Sequence, residues 1–287
     1  MAQPARRTFY GRELPEETCT ELASPLGQAI FADAMATNGT GCFFHLMQQF
    51  RTQDEPAYCG ISTLVMVLNA LRVDPGKVWK GVWKWWAESM FDCCVSLEEA
   101  KQSGITLDEF VCLARCQGVA VSAVRPPPVG DMEVVQTGST NSVDAFRETV
   151  KSVTGGNGSA VLIISYNRKT LGQTGSGHFS PIGAYDSASD RVLILDVARF
   201  KYPAHWVDLN LVYESLRALD SSTGKPRGWA VMSTSLDSNR HLLPFMHQIM
   251  HCRRGSGCGT GVQVAAGVES CTSCTNDKVL ASTESKV

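Results

Sequence analysis

HFSPIGAY (His178–Tyr185), DSASD (Asp186–Asp190) and RVLILDVA (Arg191–Ala198) decide the fold class. The outer two runs are short and rich in β-branched and aromatic residues, and the middle one is a polar loop of hairpin length, which predicts an antiparallel hairpin. Ala160–Tyr166 reads as a strand before it and Gly228–Ser233 as one after it. Upstream the apolar period changes: Ile61, Leu64, Val65, Leu68 and Leu71 form the stripe of a core helix over Gly60–Leu71, with Pro56 just ahead of it. Thr106–Gln117 reads as a second helix, with Thr106 as N-cap, Glu109 as its capping-box partner and Gly118 at the stop. Ser142–Val153 reads as a third. Helices first and an antiparallel sheet afterwards is the order of an α+β fold, not the alternation of a parallel doubly wound one. Two lobes with a cleft between them follow from that order: an N-terminal helical lobe and a C-terminal antiparallel sheet lobe.

Composition narrows the function. The chain has 287 residues, 44% of them hydrophobic, enough to build a sizeable core. Its 26 Lys and Arg against 28 Asp and Glu leave no basic stripe, so nucleic acid is not an expected partner. No apolar run follows Arg6 and Arg7, and Pro56–Leu71 is too short and hydroxyl-rich to cross a bilayer. Membrane insertion and export are therefore not expected, and a cytoplasmic location is. The 11 cysteines are an odd number in a long chain, which favours reduced thiols over a disulfide scaffold. Composition is even to about Thr234, giving one domain over residues 1–234. Residues 235–287 read as a short, Cys-containing and mostly flexible tail rich in Gly, Ser and Thr, with a short helix over Asp237–His251.

Cys59 falls on the first turn of the Gly60–Leu71 helix, where unpaired N–H groups and the positive end of the macrodipole favour thiolate over thiol. His178, at the start of a strand and after Gly175-Ser176-Gly177, is its candidate base. A hairpin centred near Ala188 sets residue 180 opposite residue 196, so Asp196 lies diagonal to His178 and within side-chain reach. Gln53, six residues before Cys59, could donate to a developing oxyanion together with the Cys59 backbone N–H. Gln, then a helix-borne Cys, then His and an acid on a distant sheet is the order of papain-like enzymes, although their local signature is absent.

The same residues carry a resemblance to the phytochelatin synthase family. It rests on Gln53–Gly60, Val67–Leu71 running on to Asp74-Pro75-Gly76, the Trp-rich Trp79–Trp83, Glu88–Cys94, Val111–Cys116, Gln173–Gly183 and Leu195–Pro203, and it covers about residues 9 to 234. The resemblance implies a papain-like two-lobed fold carrying the nucleophile helix in its helical lobe. The implied activity is a γ-glutamylcysteine dipeptidyl transpeptidase acting on glutathione and phytochelatin peptides, with Cys59 as nucleophile, His178 as base and acid, Asp196 as orienter and Gln53 as oxyanion donor. It implies Thr52, Glu55, Tyr58, Arg168 and Gly177 around a first acyl site, Glu55 suiting the substrate amine and Arg168 its carboxylate. Arg199, Lys201, Tyr202 and Asp220 are implied around a second. No organic cofactor is implied, but a heavy-metal ion such as Cd²⁺ or Zn²⁺ is, arriving as a metal–glutathione thiolate. A homodimer is compatible with the resemblance.

Vicinal Cys93-Cys94, with Cys112 and Cys116 at i, i+4 on one helix face, could present thiolates to such a soft cation, and buried structural thiols are the plain alternative. His247, His251, Cys252, Cys258, Cys271 and Cys274 in the tail look like a loose soft-metal sensor that matches no closed tetrahedral spacing. Two other functions compete: a glutathione or γ-glutamyl peptide hydrolase using the same triad, and a non-catalytic thiol-rich metal-sequestering protein.

Overall fold

The computed structural model describes residues 11–91, 93–130 and 140–234. Strand β1 (Cys19–Glu21) leads into helices α1 (Pro25–Ala36), α2 (Phe43–Met47) and α3 (Cys59–Ala70). Helices α4 (Leu97–Ser103) and α5 (Leu107–Cys116), strand β2 (Ala120–Val124) and helix α6 (Val143–Thr154) follow. The chain then runs through β3 (Ala160–Asn167), β4 (Gly177–Asp186), β5 (Arg191–Ile194), β6 (His205–Asp208), α7 (Leu209–Arg217) and β7 (Gly228–Ser233). The seven strands make one antiparallel sheet in the order β1-β6-β5-β4-β3-β7-β2. The fold is α+β.

Local chemistry explains where the helices start. Thr106 Oγ1 accepts the Glu109 N–H at 3.2 Å while Glu109 Oε2 accepts the Thr106 N–H at 2.7 Å, a closed capping box ahead of α5. Ser142 caps α6 by accepting the Ala145 N–H at 3.2 Å. Helix α7 escapes the periodicity reading, yet Asp208 Oδ1 accepts the Leu211 N–H at 3.1 Å and starts it directly at the end of β6.

The division into a helical first half and a sheet second half needs amending. Both edge strands come from the first half: β1 pairs with β6 and β2 with β7. Neither declares itself locally, because β1 has only three residues and AVSAV in β2 lacks large β-formers.

Helix α3 is buried from Gly60 through Leu68, not on one stripe alone, as expected of a helix apolar on every face. Its polar residues are used in place: Thr63 Oγ1 donates to the Phe179 carbonyl at 3.2 Å, tying α3 to β4. Gly60 leaves room for Ile105, just ahead of α5, since a Cβ there would lie 2.5 Å from Ile105 Cγ1. Phe110 of α5 stacks on Phe179 at 5.3 Å from the other side.

Strand β5 ends at Ile194, four residues short of the expected Ala198. Asp196 causes this locally, its Oδ1 accepting the Ala198 N–H at 2.9 Å and turning the chain out of the ladder. The hairpin also carries a bulge at Gly183. Pairs from Asp186↔Arg191 to Ala184↔Leu193 run in a register that would set Asp196 opposite Pro181, but beyond the bulge Ile182 pairs with Ile194, which continues to Ser180 opposite Asp196. A one-residue shift exchanges faces, so this bulge puts Asp196 on the side of His178.

The expected helix over Asp237–His251 and the tail residues His247, His251, Cys252, Cys258, Cys271 and Cys274 lie outside the described residues.

Candidate active site

Cys59 is the first residue of α3, behind Tyr58 as N-cap, with no side chain capping the helix end. His178 is the second residue of β4 and Asp196 lies just past β5. The contact between α3 and β4 brings Cys59 and His178 close enough for the charge of each to act on the other. On its far edge the imidazole meets Asp196, Nε2 to Oδ1 at 2.8 Å, so Nδ1 is the nitrogen left for the sulfur. Asp196 is fully buried and its Oδ1 also accepts from Arg168 Nη2 at 3.0 Å. The strand carrying the base, the turn carrying the acid and the helix carrying the thiol meet at one point.

The charges reinforce one another. Burial is the largest influence on Cys59 and pushes the thiol up, but the charge and hydrogen bond of His178, the Phe179 N–H and the charge of Arg168 together bring it below the ordinary thiol value. For His178, burial and Arg168 push down, and the charges of Asp196 and Cys59 with the Asp196 hydrogen bond raise it overall. Burial also disfavours the Asp196 anion, yet His178 and Arg168 hold its carboxyl well below the usual carboxylate range. A lowered thiol beside a raised imidazole shifts the pair toward thiolate and imidazolium, the reactive form of a cysteine nucleophile.

The loop before the nucleophile is clamped from several sides. The Gln53 N–H donates to the Val197 carbonyl at 3.0 Å, joining this loop to the Asp196 turn. Gln53 Nε2 donates to the Glu55 and Pro56 carbonyls at 2.9 and 2.8 Å, so the amide expected to face an oxyanion shapes the loop in this state. Tyr58 Oη donates to the Leu97 carbonyl at 3.0 Å. Glu88, 3% exposed, accepts the Asp54 N–H at 3.2 Å and faces Arg51 at 3.4 Å. Burial pushes Glu88 up to about 7 against the pull of Arg51. The folded protein thus holds this proton more tightly than the unfolded chain, and stability falls as pH rises from 4.5 to about 7. Glu88→Gln is expected to remove that fall, read as melting temperature against pH for both proteins.

The remaining residues implied by resemblance divide by what they touch. Thr52 and Arg199 are exposed, Arg199 lying 4.9 Å over the Phe50 ring. Glu55 pairs with Lys101 at 2.8 Å. Lys201 Nζ donates to the Thr174 carbonyl at 2.6 Å, and Tyr202 Oη accepts the Thr174 N–H at 2.9 Å, so both hold the loop ahead of β4. Arg168, expected at a substrate carboxylate, is instead buried with its guanidinium on Asp196 and on Gln173 Oε1, the latter at 2.6 Å. An acid buried at Asp196 requires partners, and Arg168 joins His178 in supplying them.

Sequence reasoning missed Arg227. It is buried against Gly177, where a Cβ would come within 2.2 Å of its Nη1, and it pairs with Asp220 at 3.4 Å. Gly177 immediately precedes His178, and the charge of Cys59 acts on Arg227. A lone Arg between Pro226 and Gly228 carries no local signal; only the β7–β3–β4 pairing brings it there.

The cysteine expectations change too. Cys94 and Cys112 are joined by a disulfide, with Cα atoms 6.2 Å apart, so these two are not the reduced thiols expected. Cys112 faces the core side of α5, where Cys94 meets it, and is therefore not a thiolate presented jointly with Cys116. Among the described residues the sulfurs that cluster are Cys93, Cys94 and Cys116, with Cys94 and Cys116 Sγ 3.5 Å apart. A pocket lined by Met90, Cys93, Cys116 and Gln117 opens beside them.

A sequence model of the phytochelatin synthase family matches residues 9–229, which contain every site residue described above. The chain belongs to the phytochelatin synthase family. It is 43% identical over 227 residues to the glutathione gamma-glutamylcysteinyltransferase of Schizosaccharomyces pombe, covering 79% of this chain and 51% of that relative. Identity is 44% over 229 residues with glutathione gamma-glutamylcysteinyltransferase 1 of Arabidopsis thaliana, covering 80% of this chain and 44% of the relative. With glutathione gamma-glutamylcysteinyltransferase 3 of Lotus japonicus it is 45% over 225 residues, covering 78% and 44%. The chain spans about half the length of the curated relatives it matches. Within the phytochelatin synthase match, no helix among the described residues is long and apolar enough to cross a membrane.

Proposed function

We propose that this chain is a γ-glutamylcysteine dipeptidyl transpeptidase acting on glutathione, with a papain-like arrangement of its nucleophile helix and sheet. The carrying observation is the thiol at the tip of α3 paired with an imidazole whose other nitrogen is bound to a buried carboxylate. The Cys59 thiolate attacks the carbonyl of the Cys–Gly amide. His178 gives its proton to the departing glycine amine, and a γ-Glu-Cys thioester remains on Cys59. The amine of a second glutathione then attacks that thioester, returning its proton to His178 and freeing the sulfur. The Cys59 N–H, unpaired at the first helical position, is the oxyanion donor already available, and Gln53 joins it when its amide leaves one of its two loop carbonyls.

Glu55 is the acid for the substrate amine. Arg168 has both Nη atoms engaged by Gln173 and Asp196, whereas Arg227 meets Asp220 through Nη1 and keeps its Nε without a partner, so Arg227 joins Arg168 as a guanidinium for the substrate carboxylate. Thr52, Tyr58 and Gly177 line the first acyl site, and Arg199, Lys201, Tyr202 and Asp220 border the second. The cation enters as part of the substrate, a Cd²⁺ or Zn²⁺ thiolate of glutathione, and no organic cofactor takes part. The Cys93, Cys94 and Cys116 sulfurs suit the same soft cations once the Cys94–Cys112 bond is reduced. This chemistry fits a cytoplasmic thiol pool.

Incubation with glutathione and Cd²⁺, followed by mass spectrometry, is expected to yield (γ-Glu-Cys)₂-Gly together with free glycine. γ-Glu-Cys as the sole product would assign hydrolysis instead. Absence of both products would end the enzymatic reading.

A further inference from the structure

His205 and Gln173 are buried, belong to neither the triad nor the acyl sites, and form a hydrogen-bonded chain whose direction is dictated at every link. His205 Nδ1 lies 2.8 Å from the Pro203 carbonyl, which can only accept, so Nδ1 carries the proton. Arg168 can only donate, which fixes Oε1 of the Gln173 amide toward Arg168 and its NH₂ end toward His205, so Nε2 of the ring must be the bare acceptor. Burial, which lowers the proton affinity of His205, acts in the same direction. That bare nitrogen, 2.8 Å from Gln173 Nε2, accepts from the amide. The second Nε2 proton points to Cys19 Sγ at 3.6 Å. With its NH₂ end committed, Gln173 turns Oε1 to Arg168 Nη1 at 2.6 Å. Arg168 Nη2 is thereby aimed at Asp196, whose Oδ1 holds His178 Nε2 at 2.8 Å. The guanidinium is kept from swinging by the Tyr202 and Tyr166 rings, 5.2 and 5.9 Å from its centre.

We propose that His205 and Gln173 are positioning residues, fixing Arg168 and through it the Asp196 carboxylate that orients His178 toward Cys59. The proposal rests on the reading of Cys59, His178 and Asp196 as a catalytic triad. Two ordinary features support a role beyond packing. An apolar pair would fill this core without leaving polar atoms to satisfy, and every donor and acceptor at Gln173 is matched. The chain also starts from a backbone carbonyl, a fixed anchor that transmits one orientation and not its reverse.

The test uses two readouts, one of which needs no substrate. Iodoacetamide alkylation of Cys59, followed by peptide mass spectrometry against pH, reports the thiolate; glycine release from glutathione with Cd²⁺ reports turnover. Gln173→Leu and His205→Phe are expected to lower kcat about 10²-fold with KM little changed, and to move the alkylation midpoint up by about one pH unit. His205→Gln restores an acceptor near the Nε2 position and is expected to recover most of both. Parent-like alkylation profiles in folded Gln173→Leu and His205→Phe proteins would overturn the proposal, whatever happens to turnover. If those two do not fold, His205→Gln and Gln173→Glu decide. The first should stay near the parent and the second, with no donor for His205 and a charge competing for Arg168, should shift; equal behaviour overturns the proposal. A shifted profile in variants of a protein that makes no phytochelatin would sink the proposed function and leave this positioning role standing.

Discussion

Cys59→Ser is expected to lower glycine release from glutathione by about 10⁴-fold or more and to leave no acyl adduct on the protein. A serine hydroxyl ionises so far above a thiol that the influences of His178 and Arg168, which lower the thiol, cannot make it an anion. The substitution removes one atom's chemistry and little volume, so the fold should be unaffected. Intact-protein mass spectrometry after rapid mixing with glutathione checks the result, because the parent protein should gain the mass of a γ-Glu-Cys acyl group and the variant none. Retained glycine release in Cys59→Ser would place the nucleophile elsewhere.

Asp196→Ala carries the second large effect, and it acts on stability as well as rate. Removing the carboxylate leaves the buried Arg168 guanidinium without its anion, a change expected to cost about 3–5 kcal/mol. It also frees the His178 ring to rotate away from the sulfur, and the loss of turnover is expected to reach about 10⁴-fold. Urea unfolding and initial rates measure the two effects separately. The sign with pH follows from the lowered Asp196 carboxyl: its stabilisation is present above the ordinary Asp range and is lost only as pH falls through the depressed folded value. The parent should therefore lose its advantage over Asp196→Ala only in strong acid. Equal stability of the two proteins near neutral pH would mean that the Arg168–Asp196 pair does not hold this site together.

Much of this was legible before any coordinates. The capping box at Thr106 and Glu109, the helix from Ser142 and the strands read at 160–166 and 178–185 are local signals, set by residues close in sequence. The helix bearing Cys59 was legible for the same reason, and its near-total burial follows from apolar residues on every face. Strand β6 and helix α7 were not, since four residues and a cap shared between two elements give little periodicity to read. The edge strands β1 and β2 exist because β6 and β7 offer them partners.

The sequence by itself determined the residue types and much of the local backbone: a thiol at a helix start, a histidine at a strand start, an acid in the second run of a hairpin. Tertiary structure decided who pairs with whom. The Gly183 bulge chose the face of Asp196, the packing of α3 on β4 set the sulfur beside His178, and the sheet order delivered Arg227 from a segment without a motif. Tertiary structure likewise turned Arg168 inward to Asp196 and joined Cys94 to Cys112. The physical reason is range. Caps, turns and apolar periods act across a few residues, whereas a buried charge or sulfur takes whichever partner the packed core brings within about 3–4 Å, and no local rule names that partner.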